Sequence, residues 1–449
     1  MVVSNNKKQT GISRRKVIGQ AAGVAALATG LGSRSLAVHL GIEPRAKQAG
    51  ANDKLVLGLI GCAGMGAANM RTLMGFNDVE VAAICDVDDN RMPGDFNEIN
   101  KKYGKRPSVY RDYRQMLERK DIDAVIIGSP DHWHALHLIH ACEAGKDSYC
   151  EKPISHNVVE AVAMARCVER HKRVVQVGTW QRSTREFTDA IDTIRSGKLG
   201  KIVHCRAWIT DGFRAGNQQV AEVPSSLDYD FWTGPAEMIP YKANHVHYNW
   251  RWFSNTGGGM TTDWGVHMID IALLGMSQDQ DLVMPEEITT WGGQWAYAGD
   301  DRTAPDTIET LYKFRDPDFV LTWSVLRDHP GKPGHCTEFI SAEGKTLRVW
   351  RGGWTLLDPD GKELPKESTT SPGSHWREWV DCVKSRGKPS ADLGSVAQTT
   401  IVCHLSNVAL QAGQPVRWNK AKMDLEGKAG RDTLAYSRPY RKPWVLPKY

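Results

Sequence analysis

Lys152 stands between Glu151 and Pro153, directly after Ser148–Cys150, which reads as the end of a strand. Ligands of open α/β sheets bind off the carboxyl ends of strands, so this Lys is expected to face a crevice between two halves of the chain. An ammonium there bonds a hydroxyl and stabilises the alkoxide left when its proton departs. The plainer reading is a surface Lys after a strand. A second stretch carries Asp263, His267 and Asp270 at i, i+4 and i+7, one face of a helix. Thr262 reads as its N-cap and Gly275 as its C′ residue. An acid one turn before a His fixes its tautomer or binds a hydroxyl, and the His then serves as a general base near neutral pH. A His held by structural acids fits the same spacing.

A third stretch, Gly61-Cys62-Ala63-Gly64-Met65-Gly66, follows an apolar run over Leu55–Ile60 and opens a helix expected to reach about Met74. Strand, glycine loop and helix together make the dinucleotide fingerprint, with backbone N–H groups and a helix N-terminus facing a pyrophosphate. Ala63 replaces its second glycine, and Gly64 beside it keeps the approach open. A strand over Val79–Cys85 ends at Asp86, 20 residues beyond Gly66. An acid there accepts both ribose hydroxyls and repels a 2′-phosphate, so NAD is expected ahead of NADP.

Alternating elements position these stretches. Ala124–Ile127 reads as a strand, followed by Ser129, Pro130, Asp131 and His132 and a helix to about Ala144. His132, His134, His137 and His140 suggest a metal, but no carboxylate or Cys joins them at ligand spacing, so no metal site is expected. A helix from Asn157 to about His171 carries Asn157 and Glu160 at N-cap and N3. Val174–Val177 closes the first half, and residues 178–182 cross into the second. There longer strands are expected over Ile202–Thr210, Ile288–Trp295, Thr307–Phe314, Phe319–Val325, Glu338–Ala342 and Leu347–Trp350, as one large, mostly antiparallel sheet. Helices near 375–384 and 395–412 follow, then an irregular polar tail from Lys420. The fold class is α/β: a Rossmann dinucleotide-binding domain over 54–177 and a substrate and oligomerisation domain over 178–449.

The chain has 449 residues, 41% hydrophobic and 24% charged, an ordinary globular balance. Its net charge of +5 comes from the leader: six of its Lys and Arg fall in residues 1–37, which hold no acid, and the rest carries 51 against 52 acids. That neutral body gives no basic field for nucleic acid. Arg14 and Arg15, a mild apolar stretch over 17–31 and Ser35-Leu36-Ala37 read as a twin-arginine export signal over 1–37, with a linker over 38–53 and a periplasmic or other extracytoplasmic destination. No later segment is apolar enough to span a bilayer, so no membrane anchor is expected once the signal is removed. The nine Cys form no C-x-x-C pair and suggest no disulfide framework. Fifteen of the sixteen Trp follow Lys152. Sheet packing explains most of them, and the remainder offer flat apolar faces for sugars.

These pieces together resemble the Gfo/Idh/MocA oxidoreductases over nearly all of the chain after the leader. The matching residues are Gly61–Gly66, Asp86, Ser129-Pro130-Asp131-His132, Glu151-Lys152-Pro153 and Asp263-x-x-x-His267. The resemblance implies bound NAD or NADP and a sugar or cyclitol substrate. It also implies an open sheet serving as an interface between copies, and a cis Lys152–Pro153 bond. By motif, Lys152 contacts the reacting hydroxyl, Asp263 helps bind substrate and His267 accepts the proton. Ser129, Pro130, His132, Glu151 and Lys152 join Gly61, Ala63, Gly64, Met65, Gly66 and Asp86 as cofactor contacts. Arg182 and Trp250 join the substrate set. The export signal is similar to that of glucose–fructose oxidoreductase and of family 109 glycoside hydrolases, which use bound NAD for transient oxidation. Three activities follow: a sugar oxidoreductase, a hydrolase or lyase working by oxidation and elimination, and a non-catalytic NAD-binding sugar sensor.

Overall fold

A computed structural model of the protein describes residues 54–210, 212–326, 333–366 and 373–449. The stretches read as an export signal, Arg14 and Arg15 included, and as a linker lie outside the described residues.

The first sheet contains β1 (Leu55–Ile60), β2 (Val79–Cys85), β3 (Ser108–Tyr110), β4 (Ala124–Ile127), β5 (Asp147–Cys150) and β6 (Val175–Val177). Its order is β3-β2-β1-β4-β5-β6, and every pair is parallel. Parallel strands are covered on both faces, so they read as apolar runs: Leu55, Leu57, Leu59 and Val125–Ile127 are fully buried. The chain leaves β1 and β4 in opposite directions across the sheet. That switch point opens a crevice at the strands' carboxyl ends, where the glycine loop, Ser129 and Lys152 all lie.

The second sheet holds β7 (Ile202–Thr210), β8 (Glu287–Gly293), β9 (Thr307–Arg315), β10 (Asp318–Leu326), β11 (His335–Ser341), β12 (Thr346–Trp350), β13 (Gly353–Leu357), β14 (Val416–Asn419) and β15 (Asp424–Glu426). Its order is β13-β12-β11-β7-β10-β9-β8-β14-β15, antiparallel except where β10 meets β7. On β9 the inward residues Ile308, Thr310, Tyr312 and Phe314 are buried while Glu309, Leu311 and Lys313 face out, the period of a sheet covered on one side.

Two helices cover that inner face, Gly265–Met276 and Leu393–Ala412. Both are apolar nearly all round, which fits burial on all sides. The longer one packs against the helix Val158–His171 as well as β8, tying the two sheets together. Among the described residues no helix is long and apolar enough to cross a membrane.

Three expectations need correction. The helix over 262–275 is two: Gly259–Asp263, a break at Trp264, then Gly265–Met276. Thr262 is therefore inside the first piece and Gly275 inside the second, where Phe339 packs so closely that a Cβ would meet its ring at 2.7 Å. The tail beyond Lys420 is irregular apart from β15, as expected, but it is docked and partly buried rather than simply polar. Val158 and Val159 donate to the carbonyls of Ala435 and Tyr436, Arg438 pairs with buried Glu160 at 2.9 Å, and Trp444 packs edge-on against Trp133. The short strands β3, β13, β14 and β15 also escaped the sequence reading.

Candidate active site

The glycine loop is shaped by contacts that exclude side chains. A Cβ on Gly66 would lie 2.1 Å from the Gly61 carbonyl, and Gly61 itself has φ +87°. The helix Gly64–Met74 can therefore start hard against the end of β1. Its first N–H groups have no intrahelical acceptor, and Gly64 and Met65 line a cavity of about 510 Å³. Ala63 takes φ 64°, ψ −177°, a conformation other residues avoid, and donates its N–H to Asp95 at 2.9 Å.

Asp86 also lines the cavity. It accepts N–H bonds from Cys62 (2.8 Å) and Asp88 (3.0 Å), and burial pushes its carboxyl up to about 6. A ribose diol fits this acceptor, and the cavity volume lies within the usual range for ligand pockets. The residues present thus fit a dinucleotide, with Gly61–Met65 and Asp86 on one wall and Ser129, Pro130 and Glu151 on another. Glu151 is fixed by Asn69 Nδ2 at 2.7 Å. Gly66 shapes the loop from behind rather than lining the space.

His132 does not belong to this wall. It is buried with Nε2 bonded to the Trp232 carbonyl at 2.9 Å and is not among the residues that line the cavity. Trp133, His134 and His137 on that helix line the cavity instead, and Ser129 Oγ bonds His137 Nδ1 at 2.9 Å. The four His hold separate partners, and among the described residues no three metal-ligating side chains converge.

At the far end of the cavity Lys152 leaves β5 after Glu151 and reaches the other sheet's helices. Its Nζ lies 2.6 Å from Asp263 Oδ1 and 3.0 Å from the Asp263 carbonyl. The Lys152–Pro153 bond is cis. Arg251 Nε stands 3.5 Å from the same Oδ1, with its guanidinium over the Trp250 ring at 4.2 Å. Trp250 lines the cavity. Burial alone would raise the Asp263 carboxyl, but Lys152 and Arg251 hold it below its usual range.

His267 lies next to this pair. Burial lowers its pKa well below the ordinary histidine value, and the charges of Lys152 and Arg351 lower it further, so the ring is neutral. Its Nδ1 is fully buried with no hydrogen-bond partner. Asp263 therefore does not hold this Nδ1, the first of the two roles its spacing allowed; its carboxylate meets Lys152 instead. Asp270 also leaves the set. It forms a two-pronged ion pair with Arg182, at 2.6 and 2.7 Å, with both side chains almost completely buried. Arg182 is consequently a structural cation and not a substrate contact; Ser390 and Ser395 accept from its Nη1.

The sequence reading missed three residues here. Asp131 stands among Arg251, Lys152 and Asp263, with Oδ1 buried and unpartnered and its carboxyl pushed well up by burial. It had the sequence signature of a first-turn helix acid, and its neighbours are distant in sequence. Arg251 looked like one charge in a Trp-rich run. Arg351 is delivered by the turn between β12 and β13, and that hairpin was not anticipated.

The family model "Oxidoreductase family, NAD-binding Rossmann fold" matches residues 55–179, and "Oxidoreductase family, C-terminal alpha/beta domain" matches 203–294. The chain matches models of the Gfo/Idh/MocA oxidoreductases in both halves. Its first sheet with its helices is thus an NAD-binding Rossmann domain. Among curated relatives, it is 27% identical over 277 residues to the rhizopine catabolism protein MocA of Rhizobium meliloti, spanning 61% of this chain and 72% of that one. It is 30% identical over 159 residues to a glycosyl hydrolase family 109 protein of Shewanella baltica, covering 34% of this chain and only 35% of that protein. Among solved structures, levoglucosan dehydrogenase in complex with NADH superposes with a TM-score of 0.61 at 18% identity, covering 81% of this chain and 99% of that one. That likeness is one of fold.

Proposed function

We propose that the chain is an exported oxidoreductase that moves a hydride between tightly held NAD and a carbinol carbon of a sugar or cyclitol. One observation carries the reading. Lys152 lines the dinucleotide cavity and at the same time meets Asp263 at 2.6 Å, beside a neutral imidazole whose Nδ1 has no partner. NAD supplies the hydride acceptor. A carbinol gives up hydride only as its hydroxyl loses a proton, so a base must reach that oxygen. His267 accepts the proton, and the Lys152 ammonium stabilises the developing alkoxide in a site shielded from water. Asp263 holds Lys152 in place and accepts from a neighbouring hydroxyl.

The similarity of fold to levoglucosan dehydrogenase supports a sugar substrate, and the twin arginines support export. Outside the cytoplasm no NAD pool is at hand, which favours a cofactor retained between turnovers. The outer face of the nine-stranded sheet exposes Trp291 (74%) and Leu311 (47%), and we assign it to contact with a second copy.

The family 109 similarity supports a second reading, transient oxidation followed by elimination of a glycosidic group. A panel of free sugars and aryl glycosides separates the two. NADH absorbance without aglycone release is the expected result. Aglycone release without net NADH would establish the hydrolase or lyase, and neither signal across the panel would favour a sensor.

A further inference from the structure

Arg351 is a partly buried guanidinium clamped between two indoles. Its Cζ lies 4.6 Å from the Trp180 ring centre and 4.4 Å from that of Trp264. Both indoles also pack around His267, at 6.4 and 5.9 Å between ring centres. Nε donates to Gln181 Oε1 at 3.1 Å, and Gln181 Nε2 in turn donates to the His267 carbonyl at 3.3 Å. The guanidinium is thus fixed in plane, height and rotation beside the proposed base.

Its other edge has nothing to hold. Among the described residues no carboxylate lies within salt-bridge distance of Arg351, and no acceptor meets either terminal nitrogen. Neither of those nitrogens is sealed from solvent. The acid that acts on it through space, Asp263, is already taken by Lys152. His335 cannot serve, because its Nε2 accepts the Arg351 N–H at 3.3 Å. Burial pushes the guanidinium down to about 10, a cost left without a paired anion. A charge this desolvated usually has a partner.

We propose that Arg351 recognises a carboxylate on the substrate, so that the sugar acted on is an acidic one, a uronate or a glycoside of one. The Nη1–Nη2 edge matches the two oxygens of a carboxylate, and the flanking indoles offer faces to the sugar ring. One positive charge, with Asp263 nearby, suits a monoanion better than a phosphate dianion. The inference rests on the oxidoreductase reading for its chemistry, but its binding half can be read separately.

The test uses the purified protein with its bound NAD. Glucuronate and galacturonate are compared with glucose, galactose and the two sugar 6-phosphates, by NADH formation and by quenching of tryptophan fluorescence. Uronates are expected to bind and react with a kcat/KM at least about 10-fold above the neutral sugars. In Arg351→Gln that preference should collapse through a KM increase of about 10–100-fold, and Arg351→Lys, which lacks the fork, should restore little of it. Retained NAD and an unchanged melting temperature show that the variants are folded. Equal or better use of neutral sugars by wild type would overturn the inference and leave the oxidoreductase standing. Preference for the 6-phosphates would overturn the carboxylate assignment. Arg351-dependent uronate binding without NADH would keep the site and refute the oxidation. No binding and no turnover with any of these sugars would overturn both.

Discussion

Mild acid should unfold this protein; four of its buried histidines give the scale of the effect, and His134, also lowered to about 4, adds to it. Burial holds His132 at about 3 and His245, His375 and His404 at about 4. In His132, His245 and His404 the Nδ1 atom is fully buried without a partner, so an added proton there meets no acceptor. The unfolded chain takes up these protons near 6.5 and the folded chain only at 3–4. Between those values the unfolded state binds more protons, so stability is fully present above about 6.5 and falls as pH drops toward 4. At pH 5 each His costs about 2 kcal/mol, and the four together about 8 kcal/mol. Asp86 acts in the opposite sense. Its folded value of about 6 lies above the ordinary 3.8, so it returns roughly 1 kcal/mol at pH 5. Asp131 and Glu151 shift in the same direction as Asp86. The net loss of several kcal/mol is a large part of a typical stability of about 5–15 kcal/mol. Melting temperatures and urea midpoints between pH 7.5 and 5 measure it. Both should fall steeply below 6.5, and His404→Asn should flatten the slope by about one proton's worth. A melting temperature constant from pH 7.5 to 5 would refute the burial argument.

Arg182→Met should destabilise the fold by about 3–5 kcal/mol, because it strands the buried Asp270 carboxylate, while leaving the KM of the surviving folded protein unchanged; a raised KM at wild-type stability would return Arg182 to the substrate site. Ala63→Gly should relieve about 1–3 kcal/mol of backbone strain, less about 1 kcal/mol for glycine's entropy, and keep NAD bound; a lower melting temperature would contradict it. Replacing Arg14 and Arg15 by Lys should leave the precursor in the cytoplasm, as fractionation would show, and unimpaired export of that variant would remove the twin-arginine reading.

The Rossmann half was legible because its signals are local. Apolar runs, a glycine loop and an acid at fixed spacing each lie within one element, and Leu55–Ile60 and Val79–Cys85 emerge with the expected bounds. The cap at Asn157 was legible too: its side chain accepts from Glu160 N at 3.0 Å, although Glu160 returns its bond to His156 N, one residue further back. What failed depends on long-range pairing. Periodicity placed Asp263, His267 and Asp270 on one face, yet the turn at Trp264 sends Asp263 to Lys152, and Asp270 is claimed by Arg182, 88 residues away. The strands β14 and β15 are four and three residues long, too short for an alternation to register. Arg351 owes its place to a hairpin and two indoles from separate segments, and nothing in its own neighbourhood of sequence marks it.

The most direct test of the proposed chemistry is single-turnover reduction of bound NAD in wild type, Lys152→Met and His267→Asn, beside a measurement of retained NAD. General-base catalysis contributes about 10²–10⁴-fold, so each variant should reduce its cofactor at least about 10²-fold more slowly while holding as much NAD as wild type. A wild-type rate in His267→Asn, with the cofactor in place, would contradict the assignment of the proton to that imidazole.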